Sequence, residues 1–252
     1  MRERRVKGER DKGNLFVVAV IVLSFAVTLG LSFIFSGKGF LSLAGVFDKE
    51  STRSFYAVAV GGYGDMTLAR NSAELIKSRG GAGYVRSETK DGIENIEIIF
   101  AVYKDKTPAE KVLETLGDHT AYIKEITVKE SSYSWCEGDL KQAVKEAMTY
   151  FDLTFDKLFE VSNSLNDNTL SVGDAKTQIR VLYTHIEDIK SAFYQNTQKE
   201  TKPQITEIKL ALITALALLD GIEYGSVAST CSSIRYALVQ VVFCYQSLMT
   251  TV

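Results

Sequence analysis

The sequence predicts an α+β protein held to a membrane by one N-terminal transmembrane helix. A βαββαβ module and then an all-α four-helix domain follow. Three observations carry this. Leu15–Phe35 is a run of 21 residues without a charge. Residues 53–129 alternate β-rich and helix-patterned stretches in the order β-α-β-β-α-β. From residue 134 to 252 apolar residues recur three and four apart over four separate stretches.

The uncharged run comes first. At about 1.5 Å per residue a helix of this length crosses the hydrocarbon core of a bilayer. The tail before it, residues 1–14, carries six basic residues against three acidic ones. On the far side, residues 36–53 offer only Lys38, Lys49 and Arg53 as cations. The basic excess places the N-terminus in the cytoplasm and exports everything after the helix. Ser42-Leu43-Ala44 resembles a small-x-small cleavage site. The apolar run, however, exceeds the roughly 7–15 residues of a cleavable signal core. The expectation is an uncleaved anchor, with a cleaved signal peptide as the rival. A linker over residues 36–52 then keeps the remainder near the membrane.

Charge and cysteine content narrow the function classes. The whole chain has a formal net charge of −2, and the tail contributes 6 − 3 = +3, leaving −5 for the rest. That balance speaks against nucleic acid, which needs a basic surface. Cys136, Cys231 and Cys244 form no CxxC pair, so neither a metal site nor a disulfide framework is expected.

In the mixed segment, Phe55–Val60 is β-rich. Asp65 caps a helix over Met66–Arg79, and Gly80-Gly81 ends it. Ala82–Arg86 and Ile96–Tyr103 are the next two strands. Thr107-Pro108-Ala109-Glu110 is a capping box with proline at the first position, opening a helix to Leu116. Tyr122–Val128 is the fourth strand. The halves match at an offset of 40 residues: Val58 with Ile98, Tyr63 with Tyr103, Ala69 with Ala109. Such a repeat predicts the ferredoxin-like split βαβ arrangement, four antiparallel strands with both helices on one face.

The helical half opens at Ser134-x-x-Glu137, another capping box, followed by the stripe Leu140, Val144, Met148, Phe151, Phe155 and Leu158. A second helix follows Ser171-x-x-Asp174, with Ala175, Ile179, Leu182, Ile186, Ile189 and Phe193 on one face. Pro203 opens a third, carrying Ile205, Ile208, Leu212, Leu216 and Leu219, and Gly221 punctuates its end. The fourth runs from about Val227 to Met249. Short connections predict an up-down bundle. The uncharged stretch of the third helix is too short to span a bilayer, and Arg235 interrupts the fourth.

Gly61-Gly62-Tyr63-Gly64 invites a dinucleotide-loop reading, but the third glycine of that motif is missing. His119 and His185 lack metal or catalytic spacing. Glu94 and Glu97 flank one strand but do not make a glycosidase pair on that evidence. Ser229, Ser232 and Ser233 have no base beside them in the sequence. No catalytic residue, cofactor or metal is expected.

FYAVAVGGY, followed by Ala69, Leu75 and Gly80, is similar to the opening of a SPOR (sporulation-related repeat) domain. Ile98–Tyr103 with Ala109 resembles that family's second half-repeat. The resemblance covers residues 53–128 and implies a bacterial, non-catalytic module that binds peptidoglycan glycan strands stripped of their stem peptides. It also implies that the sheet face not covered by helices is the binding surface. Alternation along the strands puts Val58, Val60, Ile98 and Phe100 against the helices. It leaves Phe55, Ala57, Ala59, Glu97 and Ile99 on the open face, with Tyr84 and Arg86 as further contacts. Phe55 is the stacking candidate. The family's glutamine position is Ala59 here and the following serine is Gly62, so the face is poor in hydrogen-bonding groups.

The expected role is therefore a single-pass membrane protein that attaches to wall glycan during division or sporulation. A divisome or sporulation protein would meet its helical domain. The alternative is a membrane-anchored scaffold in which sheet and helices bind protein and no glycan. The two differ in whether the Phe55/Ala57/Ala59/Ile99 face is open or covered.

Overall fold

Alternating β-branched and small residues make the first strand, β1 (Ser51–Tyr63). A computed structural model describes residues 51–90, 93–116 and 120–252. The predicted tail, membrane helix and linker lie outside the described residues, as does His119. Asp65 accepts a hydrogen bond from the Leu68 amide at 2.9 Å and caps α1 (Met66–Ser78). Gly80, at φ +84°, donates to Lys77, and Gly81 donates to Ile76, which closes a Schellman end. A Cβ on Gly81 would sit 2.6 Å from Ile76 and 2.7 Å from Phe100, so only glycine lets the chain turn here. Strands β2 (Tyr84–Lys90) and β3 (Ile93–Tyr103), helix α2 (Lys106–Leu116) and strand β4 (Ala121–Glu130) complete the module. Because α2 begins at Lys106, Thr107 lies inside it rather than capping it.

The sheet is antiparallel throughout, in the order β2-β3-β1-β4. That is the order expected of a split βαβ module. The 40-residue repeat has a physical meaning in it. Ala69 on α1 and Ala109 on α2 are both fully buried, and they pack on Ile98 and Val58 respectively. The small residues let each helix approach the sheet closely. Pairing shifts by one residue between Val58 and Ala59, so Phe100 bulges out of β3 and packs on the helix side.

The C-terminal half folds into α3 (Gly138–Met148), α4 (Tyr150–Asn166), α5 (Val172–Asn196), α6 (Pro203–Asp220) and α7 (Val227–Met249). The cap expected at Ser134 does not form. Gly138 is left-handed at φ +55°, which stops any helix from starting earlier, and Glu137 is the cap residue without a side-chain hydrogen bond. One predicted helix is two. Thr149 Oγ1 donates back to the Glu146 carbonyl at 2.7 Å and diverts the chain between α3 and α4. The Ser171 cap forms as expected, accepting from Asp174 N at 3.1 Å. The predicted apolar stripe of α6 is buried at all five positions.

These helices do not stand apart from the sheet. Helix α7 lies across the face opposite α1 and α2, touching β3 and β4, while α4 packs on α7 and α5 packs on α6. The result is a sheet with helices on both faces, and residues 51–252 fall in one compact unit. Helix α7 is long and apolar enough to cross a membrane by length and composition, but more than half of its most apolar window is buried in this packing.

Candidate functional site

The sheet face singled out by the sequence divides into an apolar end and a polar end. At the apolar end β1 contributes Phe55, which is fully buried. Its ring meets Phe151 edge-on at 5.6 Å and Phe155 at 5.4 Å, both on α4. Phe151 in turn stacks on Tyr245 of α7 at 3.8 Å. Ala57, Ala59 and Ile99 also have no exposed surface. The face expected to be open is thus covered by the chain's own helices. A sugar ring cannot reach Phe55 in this packing.

The same end carries an ion-pair network. Glu130, 7% exposed, accepts from Tyr245 Oη at 2.8 Å and from Ser51 Oγ, and it pairs with Arg53 at 2.9 Å. Arg53 also reaches Asp152 of α4 at 2.8 Å. Lys104 bridges Asp152 and Asp156 at 3.2 and 2.6 Å. These bonds tie the first residues of β1 to both covering helices.

Tyr84 and Arg86 are half-buried against α7. Tyr84 stacks on Phe243 at 5.7 Å and tilts on Tyr236 at 5.4 Å. Burial, and then the neighbouring Tyr236, push the Tyr84 phenol above its ordinary value. The Arg86 guanidinium lies 4.6 Å over the Phe243 ring.

Beyond α7 the face becomes polar. Glu97 on β3 has no exposed surface. It accepts from Tyr122 Oη at 2.5 Å and from Lys124 Nζ at 2.7 Å, and Arg86 stands 3.9 Å away. A buried carboxylate needs this much compensation. Lys124 also meets Glu88 at 2.9 Å. Tyr122 and Lys124 come from β4 and reach Glu97 across β1. They can do so because the β1 residues beneath are small. Ala59 pairs with Tyr122, and a Cβ on Gly61 would stand 3.0 Å from the Tyr122 ring. This answers what the glycines of the FYAVAVGGYG stretch are for. Gly61 makes room for a crossing tyrosine, and Gly62, at φ +85°, turns the strand end. Burial, followed by the hydrogen bond to Glu97, pushes the Tyr122 phenol up to about 12.

Sequence reasoning put Glu97 on this face and left Tyr84 and Arg86 to the strand register, which sets them opposite Ile99 and Glu97; it missed Tyr122, Lys124 and Glu88. The alternation of Tyr122 and Lys124 along β4, with two alanines and a glycine opposite, was the available signal. The arrangement is charge-balanced: Arg86 and Lys124 against Glu88 and Glu97. Its half-exposed donors suit hydroxyl recognition. It offers no nucleophile with a base beside it. Glu94 is exposed and bonded to Ser87, on the side of β3 opposite Glu97. Ser233 accepts from the Glu223 amide, and Ser229 belongs to the α7 cap. Among the described residues no cluster of three His, Cys, Asp or Glu is placed to hold a metal ion.

No protein-family model, no curated protein and no solved structure matches the chain.

Proposed function

We propose that the chain is a non-catalytic, membrane-anchored scaffold of a bacterial envelope. Its sheet serves as the core of a mixed domain, and its outer helices meet a protein partner. The observation that carries this reading is the covered Phe55 face: the aromatic residues suited to stacking on a sugar are spent on α4 and α7. What the domain turns outward instead is apolar helix surface. On α6, Leu210 is 56% exposed and Ile213 47%, with Ala217 exposed one turn further on. On α1, Leu68 and Leu75 stand two turns apart on the same side, 56% and 65% exposed. Large apolar residues grouped in this way suit a partner's apolar helix. Anchoring itself rests on the 21-residue uncharged run and its basic flank.

One observation favours a second reading, attachment to denuded glycan in division or sporulation. The Arg86, Glu88, Tyr122 and Lys124 end of the face stays half exposed and hydrogen-bonds readily. Cosedimentation of residues 51–252 with wall sacculi, before and after amidase stripping, separates the two. The scaffold reading expects no binding to either. It also expects a photo-crosslinker at Leu210 in the full chain to give a discrete adduct in membranes that Ile213→Lys abolishes. Binding that rises on stripped glycan and falls in Lys124→Ala would overturn it in favour of the glycan reading.

A further inference from the structure

A second concavity lies away from the sheet, between α5 and the connection from α6 to α7. It is a half-open depression of about 480 Å³, a size within the range of small-ligand sites. Its floor is apolar: Ile179, Leu219 and Ile222 are 2%, 3% and 5% exposed. Its walls are Tyr183 and Tyr224, and its rim carries Lys176, Arg180 and Asp220.

The rim cations are unusual in their partners. Lys176 and Arg180 are one helical turn apart on α5, where like charges repel. Among the described residues neither side chain makes an ion pair or a hydrogen bond. Each lies over a tyrosine face instead, Lys176 over Tyr224 at 5.6 Å and Arg180 over Tyr183 at 5.1 Å. Elsewhere in this domain cations over rings also pair with an oxygen: Arg53 and Lys104 hold carboxylates, and Lys202 and Lys209 donate to backbone carbonyls. Stacking restrains the two cations without using their donors. Burial pushes the Tyr224 phenol up, so it keeps its proton and can donate. Among the described residues Asp220 has no ion-pair partner either, and it sits at the same rim, able to accept from a hydroxyl or ammonium group.

We propose that this cleft binds a small organic anion: a carboxylate or phosphate carried on a ring or short aliphatic body. The charged group would meet Lys176 and the Arg180 fork. The body would lie on Ile179, Leu219 and Ile222 between the tyrosines. This site is independent of the Glu97 cluster.

The test uses the full chain in detergent micelles, with phenyl phosphate as probe and benzyl alcohol as its neutral counterpart. Saturation-transfer NMR and calorimetry read binding to the wild type and to the double variant Lys176→Gln/Arg180→Gln. Both side chains are exposed, and an unchanged circular-dichroism spectrum checks the fold. The site gives saturable binding of phenyl phosphate that weakens about tenfold or more in the double variant, the loss expected for one or two charge-assisted hydrogen bonds. Binding by the wild type also weakens as salt is raised from about 0.01 to 1 M, where the screening length falls from about 30 to 3 Å. The salt series stands even if the variant misfolds. Absence of saturable binding, binding unchanged by both the substitution and salt, or equal affinity for benzyl alcohol would overturn the proposal.

Discussion

On the α1/α2 face of the sheet the closing residues are small. Ala69, Ala73 and Ala109 bring two short helices down onto Val58, Ile96 and Ile98. On the opposite face they are large. Phe151 and Phe155 meet Phe55, Tyr236 and Phe243 meet Tyr84, Tyr245 stacks behind Phe151, and the far end is finished by a buried carboxylate with its own cations. The first face is built mainly from residues 40 apart in a repeat, with Phe159 of α4 reaching its edge beside Tyr103 at 5.8 Å. The second depends on residues some 90 to 190 positions further along the chain. The difference teaches that the βαββαβ unit is only half of its own core. Its second face is completed by a helical layer, and a surface completed in this way is not free for a ligand.

The comparison can be broken most severely at Phe55. Phe55→Ala removes a fully buried ring and is expected to cost about 3–5 kcal/mol, read as a lowered midpoint in urea unfolding of residues 51–252. A loss under 1 kcal/mol would mean the aromatic cluster does not hold the helices on. At the polar end, Glu97→Ala removes the buried carboxylate and leaves Lys124 and Arg86 to share Glu88. Those cations are about a quarter exposed, so the expected loss is about 2–3 kcal/mol, below that of a fully buried pair. Tyr122→Phe keeps the ring over Gly61 and deletes one hydrogen bond to a carboxylate, for about 1–2 kcal/mol. Gly62→Ala, at φ +85° with open space around it, is expected to cost about 1 kcal/mol through the backbone alone.

A pH series sharpens the same contrast. The Tyr122 phenol is raised in the folded state to about 12, above the ordinary value of about 10. The unfolded chain therefore releases this proton first as pH rises. The stabilising contribution is complete below about pH 10 and is lost as pH climbs through about 12. Stability measured across that window should fall, and Tyr122→Phe should flatten the fall. Phenolate absorbance should show one late-titrating tyrosine fewer in the variant.

Most of the elements were legible in the sequence because their signals are local. Asp65 and Ser171 cap as their spacing indicates, Gly80-Gly81 ends a helix, and the stripes of α5 and α6 face inward. Alternation also sorted Val58 and Ile98 from Phe55 and Ile99. It did not show what covers each side, since that depends on pairings far apart in the chain. An apolar set such as Phe55, Ala57, Ala59 and Ile99 was the clue that something would. Ser134 failed as a cap because Gly138 takes a left-handed conformation that no spacing rule displays. The Glu97 site was only half legible. Its partners come from β4, and the crossing over Ala59 and Gly61 follows from register, which sequence spacing leaves open.

The central claim is that Phe55 on β1 and Phe151 on α4 belong to one core, with ring centroids 5.6 Å apart. A double-mutant cycle of Phe55→Ala and Phe151→Ala tests it most directly. Contacting aromatic residues should show a coupling energy of about 0.5–1.5 kcal/mol or more in equilibrium unfolding. Strictly additive effects would contradict the account and leave the sheet face open.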